Sequence, residues 1–405
     1  MISFDEAYKL TMESISPLGV ETVELIQSVN RVPGEDLHAN VWSPTLDVSL
    51  KDGYAVRSAD VKDAGPDKQV TLKLVGRIAA GGDWTGEIGP GQTVRILSGA
   101  PVPKGAQAVL AEEFAAEKDD KVIVFNNATP GRNVLYRGND VKKGQKLVRS
   151  GEVLNPPIVG YLASAGYDRV PVVKNPRVAI VATGDEVIAP GKPLQDGKLY
   201  ASNLVTLAAW CHKYGFNVDT QVIPDNENHI HKALKTALEN YDAVLTSGGA
   251  WKGERDLVVR VLEKLNWEKK YHYVRIGPGK AIGFGMVDCK PVFCLPGGPP
   301  SNHISFLQLA LPGLLRLAGW ETPELPRATV ELTEEIQGQI DWTQFLHGRL
   351  IKGDDIVKFA PSEFKSRLQM MATSQAIVKI PEGIASIPAG TLAKAHLLNW
   401  TSGGN

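Results

Sequence analysis

The stretch DAVLTSGGAWKGERD, from Asp242 to Asp256, decides the fold class of this chain. The apolar run from Ala243 to Leu245 is typical of a buried strand, and a second apolar run from Leu257 to Leu262 predicts a helix. Ser247 to Gly249 therefore follow the carboxyl end of a strand, where open α/β sheets bind ligands. Paired glycines let the backbone approach an anion closely, and Asp256 is a candidate ligand for a Mg²⁺ bound to that anion.

The alternation of strand and helix continues on both sides of this stretch. The strand-like runs RVAIVATG (177–184) and NVDTQVIPD (217–225) are each followed by a helix-like segment, and PVFCL (291–295) leads into another. Strands that alternate with helices of ordinary length imply βαβ crossovers and a mainly parallel sheet covered by helices. We predict one α/β domain over residues 174–320.

The flanking regions have a different pattern. Residues 51–139 alternate short β-rich runs with Gly, Pro and Asp turns, which predicts a β-rich domain. Residues 1–50, helical in pattern to about residue 40, and residues 140–173 are expected to form a discontinuous N-terminal helical and linker domain. The β pattern returns over 321–405 and predicts a C-terminal β-barrel. The expected fold is therefore multidomain, α/β plus β.

Composition excludes several classes of function. The 405 residues carry 44 Lys plus Arg against 45 Asp plus Glu, so no global charge attracts nucleic acid or a membrane surface. No apolar run approaches the roughly 20 residues of a membrane span, and the N-terminus lacks the pattern of a signal peptide, so we expect a cytoplasmic protein. Three cysteines without a CxxC spacing favour buried apolar roles over a disulfide framework or a zinc site.

Three loops that follow predicted strands have an unusual composition. They are Thr183-Gly184-Asp185-Glu186, Ser247-Gly248-Gly249 with Asp256, and Pro296-Gly297-Gly298-Pro299-Pro300-Ser301. Parallel strands bring such loops to one sheet edge, where glycines can hold phosphate and the carboxylates can hold Mg²⁺. Lys280, in GPGK after another predicted strand, adds a cation. The alternative is that each loop is an ordinary turn, because Gly, Pro, Asp and Ser dominate turns.

Asp225 is a fourth acid predicted at that edge. It is either a site residue or the N-cap of the helix that follows. His229 and His231 lie two apart on that helix and cannot share a face, so a metal pair is not expected. No Ser-His-Asp or Cys-His spacing stands out, which favours phosphate and metal electrostatics over covalent catalysis.

Taken in order, seven segments resemble the molybdopterin molybdenumtransferase family, which is MoeA in bacteria and the C-terminal domain of gephyrin in animals. The segments are KDGYAVRSAD (51–60), RILSGAPVPKGAQAV (95–109), GRNVLYRGNDVKKGQKL (131–147), NPRVAIVATGDEVIAPG (175–191), LYASN (199–203), DAVLTSGGAWKGERD (242–256) and VFCLPGGPPSN (292–302). Seven segments in one order are a specific signal, and they run through almost the whole chain.

The resemblance implies a homodimer of elongated subunits and an enzyme of molybdenum cofactor biosynthesis. Its substrates would be adenylylated molybdopterin and an oxyanion, molybdate or tungstate, with Mg²⁺ as cofactor and AMP as a product. The cleft would lie between the α/β part of one subunit and the β-rich part of the other. Contact with an adenylyltransferase or a client molybdoenzyme is a further expectation.

The resemblance also implies roles for individual residues. Asp52 and Ser98 correspond to residues facing the metal or oxyanion, and Ser98 stands where a Thr is usual. The acids that match the family's turn and cleft positions are Asp140, Asp185, Glu186, Asp225 and Asp256. Ser247, Gly248 and Gly249 match a phosphate-binding turn, Lys280 a turn lysine, and the run from Pro296 to Pro299 a substrate loop.

Several positions depart from the family pattern. Trp251 and Lys252 replace residues of a GGVSVG turn, Gly277 replaces a lysine of KPGKP, and Gly298 replaces an asparagine. Lys51 stands beside Asp52, and Lys365-Ser366-Arg367 replaces a Gly-Ser turn. One interpretation is a rewired site, in which Trp251 stacks on a pterin or adenine and Lys51, Lys252 and Arg367 hold phosphate or oxyanion. The other is that Trp251 packs on its loop and the lysines are solvated.

Two functions compete with metal insertion. The first is a molybdopterin adenylyltransferase, which would need only the α/β part; the flanking β-rich regions argue against it. The second is a specialised or non-catalytic paralogue that binds a pterin or scaffolds a partner. Gly277 removes the positive charge of the first lysine of KPGKP, and Arg275 or Lys252 is a candidate to restore that charge.

Overall fold

The computed structural model describes residues 1–82, 84–248, 257–362 and 366–398. The segments before residue 50 are β1 (Ile2–Ser3), α1 (Phe4–Ser14), β2 (Val20–Glu24), a 3₁₀ turn (Leu25–Ser28), β3 (Leu37–His38) and β4 (Val48–Ser49). Helix α1 begins where the Ser3 side chain accepts a hydrogen bond from the Glu6 N–H at 3.1 Å. The prediction of helix as far as residue 40 is wrong beyond Ser14, because β2 and β3 find strand partners later in the chain.

The β-rich region forms one six-stranded sheet with the strand order β8-β5-β7-β6-β10-β9. Its members are β5 (Gly53–Val56), β6 (Val70–Ile78), β7 (Gln92–Ile96), β8 (Ala108–Ala111), β9 (Ala115–Lys118) and β10 (Lys121–Val124). All of β5 and β8 is buried, so these two strands lie at the centre of the hydrophobic core.

The chain then returns to the N-terminal segments. The next elements are β11 (Val134–Leu135), β12 (Lys146–Val148), α2 (Pro156–Ser164) and β13 (Arg169–Val173). Strand β11 pairs antiparallel with β4, β12 with β3 and β13 with β2, so residues distant in sequence form one structural unit. Asn155 caps α2 by accepting the Ile158 N–H at 2.9 Å, ahead of two prolines that suit a first helical turn.

The α/β region supplies the next set of elements. They are β14 (Arg177–Thr183), β15 (Val187–Ile188), β16 (Leu199–Tyr200), α3 (Ser202–Lys213), β17 (Asn217–Ile223), α4 (Glu227–Asn240), β18 (Ala243–Ser247), α5 (Leu257–Lys264), β19 (Glu268–His272), β20 (Val274–Gly277), β21 (Gly283–Val287), β22 (Lys290–Leu295), α6 (Pro299–Ser305), a π-helical turn (Phe306–Ala310) and α7 (Leu311–Leu317). Six of the strands form a sheet in the order β17-β14-β18-β22-β21-β19.

The predicted mainly parallel, covered sheet is confirmed. Strands β17, β14, β18 and β22 run parallel, and β21 and β19 add antiparallel pairs at one edge. One face packs against α4 and α5, and the other against α3, α6 and α7. Helix α1 packs on this second face through Phe4, Ala7 and Ile15, so the first helix contacts the α/β core.

The C-terminal region closes into the predicted β-barrel. Its elements are β23 (Arg327–Leu332), β24 (Ile336–Gln337), β25 (Thr343–Ile351), β26 (Lys358–Pro361), α8 (Arg367–Thr373), β27 (Ala376–Ile380), β28 (Ser386–Ile387) and β29 (Leu392–Leu397). The order β25-β26-β23-β29-β27 closes because β27 also pairs with β25. Strand β20 pairs with β25, and β1 pairs with β20, so both extend the barrel sheet.

No helix in the described ranges is both long and apolar enough to cross a membrane. Cys211 and Cys294 are buried, as predicted, whereas Cys289 is exposed in the turn between β21 and β22. None of the three forms a disulfide.

Candidate functional site

The three predicted loops meet at one edge of the α/β sheet. Gly248 donates its N–H to the Leu295 carbonyl oxygen at 3.2 Å, which joins the loop after β18 to the end of β22. A Cβ atom at Gly248 would lie 2.6 Å from the Thr183 carbonyl oxygen, and one at Gly297 would lie 3.8 Å from the Gly248 Cα. With a φ of 99°, Gly248 also has a backbone conformation that other residues rarely adopt. The close approach of the three loops therefore requires glycine at this position.

Two asparagines hold these loops together. Buried Asn302, in α6, donates from its Nδ2 to the Ser247 Oγ at 3.0 Å and to the Pro296 carbonyl at 2.9 Å. Asn203, in α3, donates to the Gly297 carbonyl at 2.8 Å. Both asparagines bond to neutral oxygens, so they fix the loops without adding charge.

A cavity of about 530 Å³ opens beside the loops. The sequence-predicted residues that line it are Thr183, Glu186, Ser247, Gly248, Gly297 and Pro299. The segment from Leu199 to Leu204 forms a second wall, and Arg367 and Leu368 of α8 reach it from the barrel region. Thr183 is only 4% exposed, and its Oγ1 has no hydrogen-bond partner among the described residues. An unpaired buried hydroxyl beside a cavity is a candidate partner for a bound ligand.

The acids at this edge lie on two loops that are joined by one hydrogen bond. Gly184 turns the backbone so that Asp185 and Glu186 are both exposed. Asp185 Oδ1 accepts the Asp225 N–H at 3.1 Å, which brings the loops after β14 and β17 together. Asp225 is not the N-cap of α4, because Asn226 holds that position and accepts the N–H groups of the next turn.

Lys280 lies outside this cavity. It follows β20, which belongs to the barrel sheet rather than to the α/β sheet. Its Nζ lies 5.3 Å from the centroid of the Trp342 ring, in a separate cavity of about 470 Å³ that Pro296, Gly277 and Ser301 also line. The two cavities are neighbours because the loop from Pro296 to Ser301 contributes to both.

Arg275 does not replace the charge missing at Gly277. Its Nη2 pairs with Glu382 Oε2 at 3.0 Å, and its Nη1 bonds to the Met1 carbonyl. Gly298 has no side chain for the loop to use; it is the N-cap residue of α6, and its carbonyl accepts the Asn302 N–H at 2.8 Å.

A histidine pair joins the α/β region to the barrel beside these cavities. The Trp210 indole N–H donates to His303 Nε2 at 3.1 Å, and His303 Nδ1 lies 3.1 Å from His347 Nε2. An indole nitrogen only donates, so His303 carries its proton on Nδ1 and donates to His347. Burial lowers the pKa of His303 to about 3 and that of His347 to about 4, and the neighbouring ring adds to the effect at His303. Both rings are neutral in the folded protein.

The N-terminal candidates form an exposed turn. Asp52 Oδ1 accepts the Ser98 N–H at 2.7 Å, which unites two residues that are 46 positions apart in sequence. Asp140 lies in a different turn, where its N–H bonds to the Ser43 carbonyl at 3.1 Å. Lys51 is exposed, and its backbone bonds to the Ser49 hydroxyl. None of these residues is among those that line the 530 Å³ cavity.

Four predicted residues lie outside the described ranges. They are Gly249, Trp251, Lys252 and Asp256. Their predicted roles in phosphate, pterin and metal binding stay predictions.

Two family models match the chain. Residues 2–166 match the MoeA N-terminal region (domain I and II), and residues 179–316 match the probable molybdopterin binding domain. A molybdopterin molybdenumtransferase of Haemophilus influenzae is 34% identical over 330 residues, which cover 80% of this chain and 80% of the relative. The chain belongs to the molybdopterin molybdenumtransferase family.

Other relatives extend the match to almost the full length. Molybdopterin molybdenumtransferase 2 of Mycobacterium tuberculosis is 30% identical over 398 residues, 96% of this chain and 98% of the relative. The crystal structure of a MoeA protein from Pyrococcus horikoshii OT3 superposes with a TM-score of 0.84 at 27% identity, and covers 98% of this chain and 100% of that one. The MoeA-like arrangement of a MogA-like α/β domain, β-rich domains and a barrel is confirmed. As a member of this transferase family, the protein acts in molybdenum cofactor biosynthesis.

The family's implied Mg²⁺ can be tested against the residues present. Within the described parts of the chain, no three His, Cys, Asp or Glu side chains converge to hold a metal ion. Mg²⁺ keeps several waters and commonly takes one or two carboxylates together with substrate phosphates. The carboxylates of Asp185 and Glu186 are exposed, and Glu186 lines the 530 Å³ cavity, so they fit that mode of binding.

Several residues of the site are absent from the set predicted from sequence. Asn203 and Asn302 end the segments LYASN and VFCLPGGPPSN, so their position just inside a helix start was the available signal. His303, His347 and Trp210 come from distant elements, and no spacing in the sequence relates them.

Proposed function

We propose that the protein inserts molybdenum into molybdopterin. Adenylylated molybdopterin binds in the 530 Å³ cavity, molybdate or tungstate approaches the Asp52–Ser98 turn, and AMP leaves when the phosphoanhydride is cleaved. The single observation that carries this proposal is the meeting of three glycine-containing loops around a cavity with an unpaired Thr183 hydroxyl. Such an edge can hold a phosphate through short polar contacts and leave room for a pterin.

The residues of the cavity would bind and orient the substrate. Thr183 Oγ1 is buried and unpaired, so we propose that a small shift of its loop lets it donate to a phosphate oxygen, and Gly248 adds no side chain in the way. The amide of Asn302 keeps Ser247 in place, so the phosphate site is formed before the substrate binds. Gly249 and Asp256 are proposed to extend this site.

Asp185 and Glu186 would hold Mg²⁺ together with the substrate phosphates, and Asp256 is the third proposed ligand. The ion would neutralise charge that develops on the phosphoanhydride as AMP departs. Asp225, fixed by its N–H bond to Asp185, is proposed to orient a water molecule or the metal ion. Lys280 and the loop from Pro296 to Pro299 are proposed to bind substrate from the neighbouring cavity.

The Asp52–Ser98 turn would receive the oxyanion. The Ser98 hydroxyl is exposed and can donate to an oxo group, while the Asp52 carboxylate fixes the turn through the Ser98 N–H. Asp140 is proposed as a further acid of the same cleft. Because this turn does not line the cavity of its own chain, we propose a homodimer in which one subunit supplies the turn and the other the cavity. We also propose a cytoplasmic location and the four-part division at residues 50, 139, 173 and 320.

The test is to incubate the purified protein with adenylylated molybdopterin, Mg²⁺ and either molybdate or tungstate, and to follow AMP release. We expect release that depends on the oxyanion and is abolished by removal of Mg²⁺. Absence of release with both oxyanions would contradict the catalytic proposal. Conversion of ATP and molybdopterin to the adenylylated form would identify an adenylyltransferase instead.

A further inference from the structure

The 530 Å³ cavity beside the three loops is called the strand-end cavity below. We propose that Arg367, which reaches this cavity from the barrel region, binds the diphosphate of the substrate and selects it over a pterin with a single phosphate. This inference rests on the proposed function, because it assigns a substrate contact within the same cavity. It names a specificity-determining residue at a position where the family resemblance leads one to expect a glycine–serine turn without a charge.

The first step of the argument is the balance of charge around the cavity. Among the described residues that line it, Glu186 is the acid and Arg367 the cation. The remaining described lining is apolar, hydroxyl or amide in character. A dianionic ligand is favoured by a protein cation in addition to the Mg²⁺ proposed at Glu186, and Arg367 is in a position to supply that cation.

The second step is that the guanidinium is available. Within the described ranges, Arg367 makes no hydrogen bond and no ion pair. The Thr183 hydroxyl lines the same cavity, is 96% buried and is also without a described partner. A fork of N–H donors and a buried hydroxyl are the groups that a phosphate oxygen accepts hydrogen bonds from.

The third step is that the backbone at Arg367 is fixed, while its side chain is exposed to the cavity. Ser366 caps α8 by accepting the Gln369 N–H at 3.3 Å, which fixes the start of the helix at Arg367. Helix α8 packs against α6, whose first residue, Pro299, also lines the cavity. The barrel region thus carries a cation to a pocket made by the α/β sheet.

These steps lead to selectivity between two ligands. A planar guanidinium binds two phosphate oxygens at once, and a diphosphate offers a pair of oxygens on adjacent phosphorus atoms that a single phosphate lacks. Loss of one charge-assisted, two-fold contact lowers affinity by roughly tenfold to a hundredfold. The loss will be larger for adenylylated molybdopterin than for molybdopterin itself.

The experiment compares Arg367→Gln and Arg367→Lys with the wild-type protein. Dissociation constants are measured for adenylylated molybdopterin and for molybdopterin, by quenching of intrinsic fluorescence at 50 and 500 mM NaCl. We expect Arg367→Gln to weaken binding of the adenylylated ligand by at least tenfold, to weaken binding of molybdopterin less, and to reduce the effect of salt. Arg367→Lys should recover part of the affinity but not the selectivity.

The matched control is Lys394→Gln. This exposed barrel lysine bonds to Thr329 and is not among the residues that line the cavity, so the variant changes net charge equally without touching the proposed contact. Equal affinity of the wild type and Arg367→Gln for the adenylylated ligand would overturn the inference. If Arg367→Gln does not fold, loss of selectivity in Arg367→Lys decides the question in its place.

Failure of this inference can be distinguished from failure of the proposed function. A wild type that releases AMP, together with an Arg367→Gln variant that binds normally, removes only the role of Arg367. A wild type that binds the adenylylated ligand through Arg367 without releasing AMP removes catalysis and keeps the binding role. A wild type that does not bind the ligand overturns both.

Discussion

The strand-end cavity and the Asp52–Ser98 turn are built in opposite ways. The cavity is formed largely by backbone atoms and buried amides, and its shape is fixed by residues such as Gly248 and Asn302. The Asp52–Ser98 turn is formed by exposed side chains and held by one described side-chain hydrogen bond, at 2.7 Å. The described lining of the cavity comes from a single chain, whereas the turn is exposed and is not among the residues that line that cavity.

This difference separates the effects expected of substitutions. In the cavity, shape and stability depend on the same atoms, so a change that alters binding will also alter folding. In the turn, charge can be removed with little effect on stability, because the side chains are solvated. Two predictions test that separation, and a third tests the buried histidines between the α/β region and the barrel.

The largest effect is expected for Gly248→Val. The new side chain would meet the Thr183 carbonyl oxygen, and the backbone φ of 99° is unfavourable for valine. We expect a loss of roughly 3 kcal/mol in the free energy of unfolding and loss of pterin binding. Urea unfolding and fluorescence titration measure the two quantities.

Gly297→Ala is the control for that variant. Its Cβ would make an ordinary contact of 3.8 Å with the Gly248 Cα. We expect a change of less than about 1 kcal/mol. Equal destabilisation by the two substitutions would mean that the packing of the loops is looser than their geometry indicates.

Asp52→Asn should separate activity from stability. The amide oxygen of asparagine can still accept the Ser98 N–H, so only the charge is lost. We expect AMP release to fall on the order of tenfold to a hundredfold, with an unchanged melting temperature and unchanged pterin binding. Asp47→Asn is the matched control, because Asp47 accepts the Arg137 N–H at 2.8 Å in the same part of the chain. Similar rates for both variants and the wild type would remove Asp52 from the mechanism.

The third prediction concerns the dependence of stability on pH rather than a substitution in either region. The folded protein holds the pKa of His303 at about 3 and the pKa values of His347 and His396 at about 4, chiefly by burial. Unfolded histidine titrates near pH 6.5, so the unfolded chain binds more protons than the folded one below that pH. Stability is therefore complete above about pH 6.5 and is lost as the pH falls, by up to about 1.4 kcal/mol per pH unit for each histidine.

Urea unfolding at pH 7.5, 6.0 and 5.0 measures this dependence. His347→Gln keeps an acceptor for His303 but cannot gain a proton, so its free energy of unfolding should fall less steeply with acidification. His38→Gln, at an exposed histidine, should behave as the wild type does. A wild type equally stable at pH 7.5 and 5.0 would show that the buried histidines do not remain neutral.

The α/β region could be predicted from sequence because its strands are long, buried and regularly alternated with helices. The segment Val20–Glu24 was predicted wrongly because its polar and apolar residues fit both a helix and an exposed strand, and only the partner Arg169–Val173 decides between them. That Lys280 follows a strand of the barrel sheet was not predicted, for a related reason. A strand of four residues, Val274–Gly277, does not show in its sequence which sheet it joins.

The site shows the same limit. Glycines and acids after strands could be predicted, since strand ends share an edge in a parallel sheet. The position of Arg367 could not, because it depends on how α8 packs against α6 across two regions of the chain. The family resemblance implied that Asp52 and Ser98 belong to one site, but their contact was not predicted, because the two residues lie 46 positions apart and carry no local pattern.

The loop from Pro296 to Ser301 has a consequence for redesign of this protein. Pro296 and Ser301 face the cavity beside Lys280, whereas Gly297 and Pro299 face the strand-end cavity. The loop therefore separates the two cavities, and Asn203 and Asn302 hold it through hydrogen bonds from adjacent helices. A shift of the loop that enlarges one cavity for a bulkier molecule makes the other cavity smaller, so the two cavities must be redesigned together.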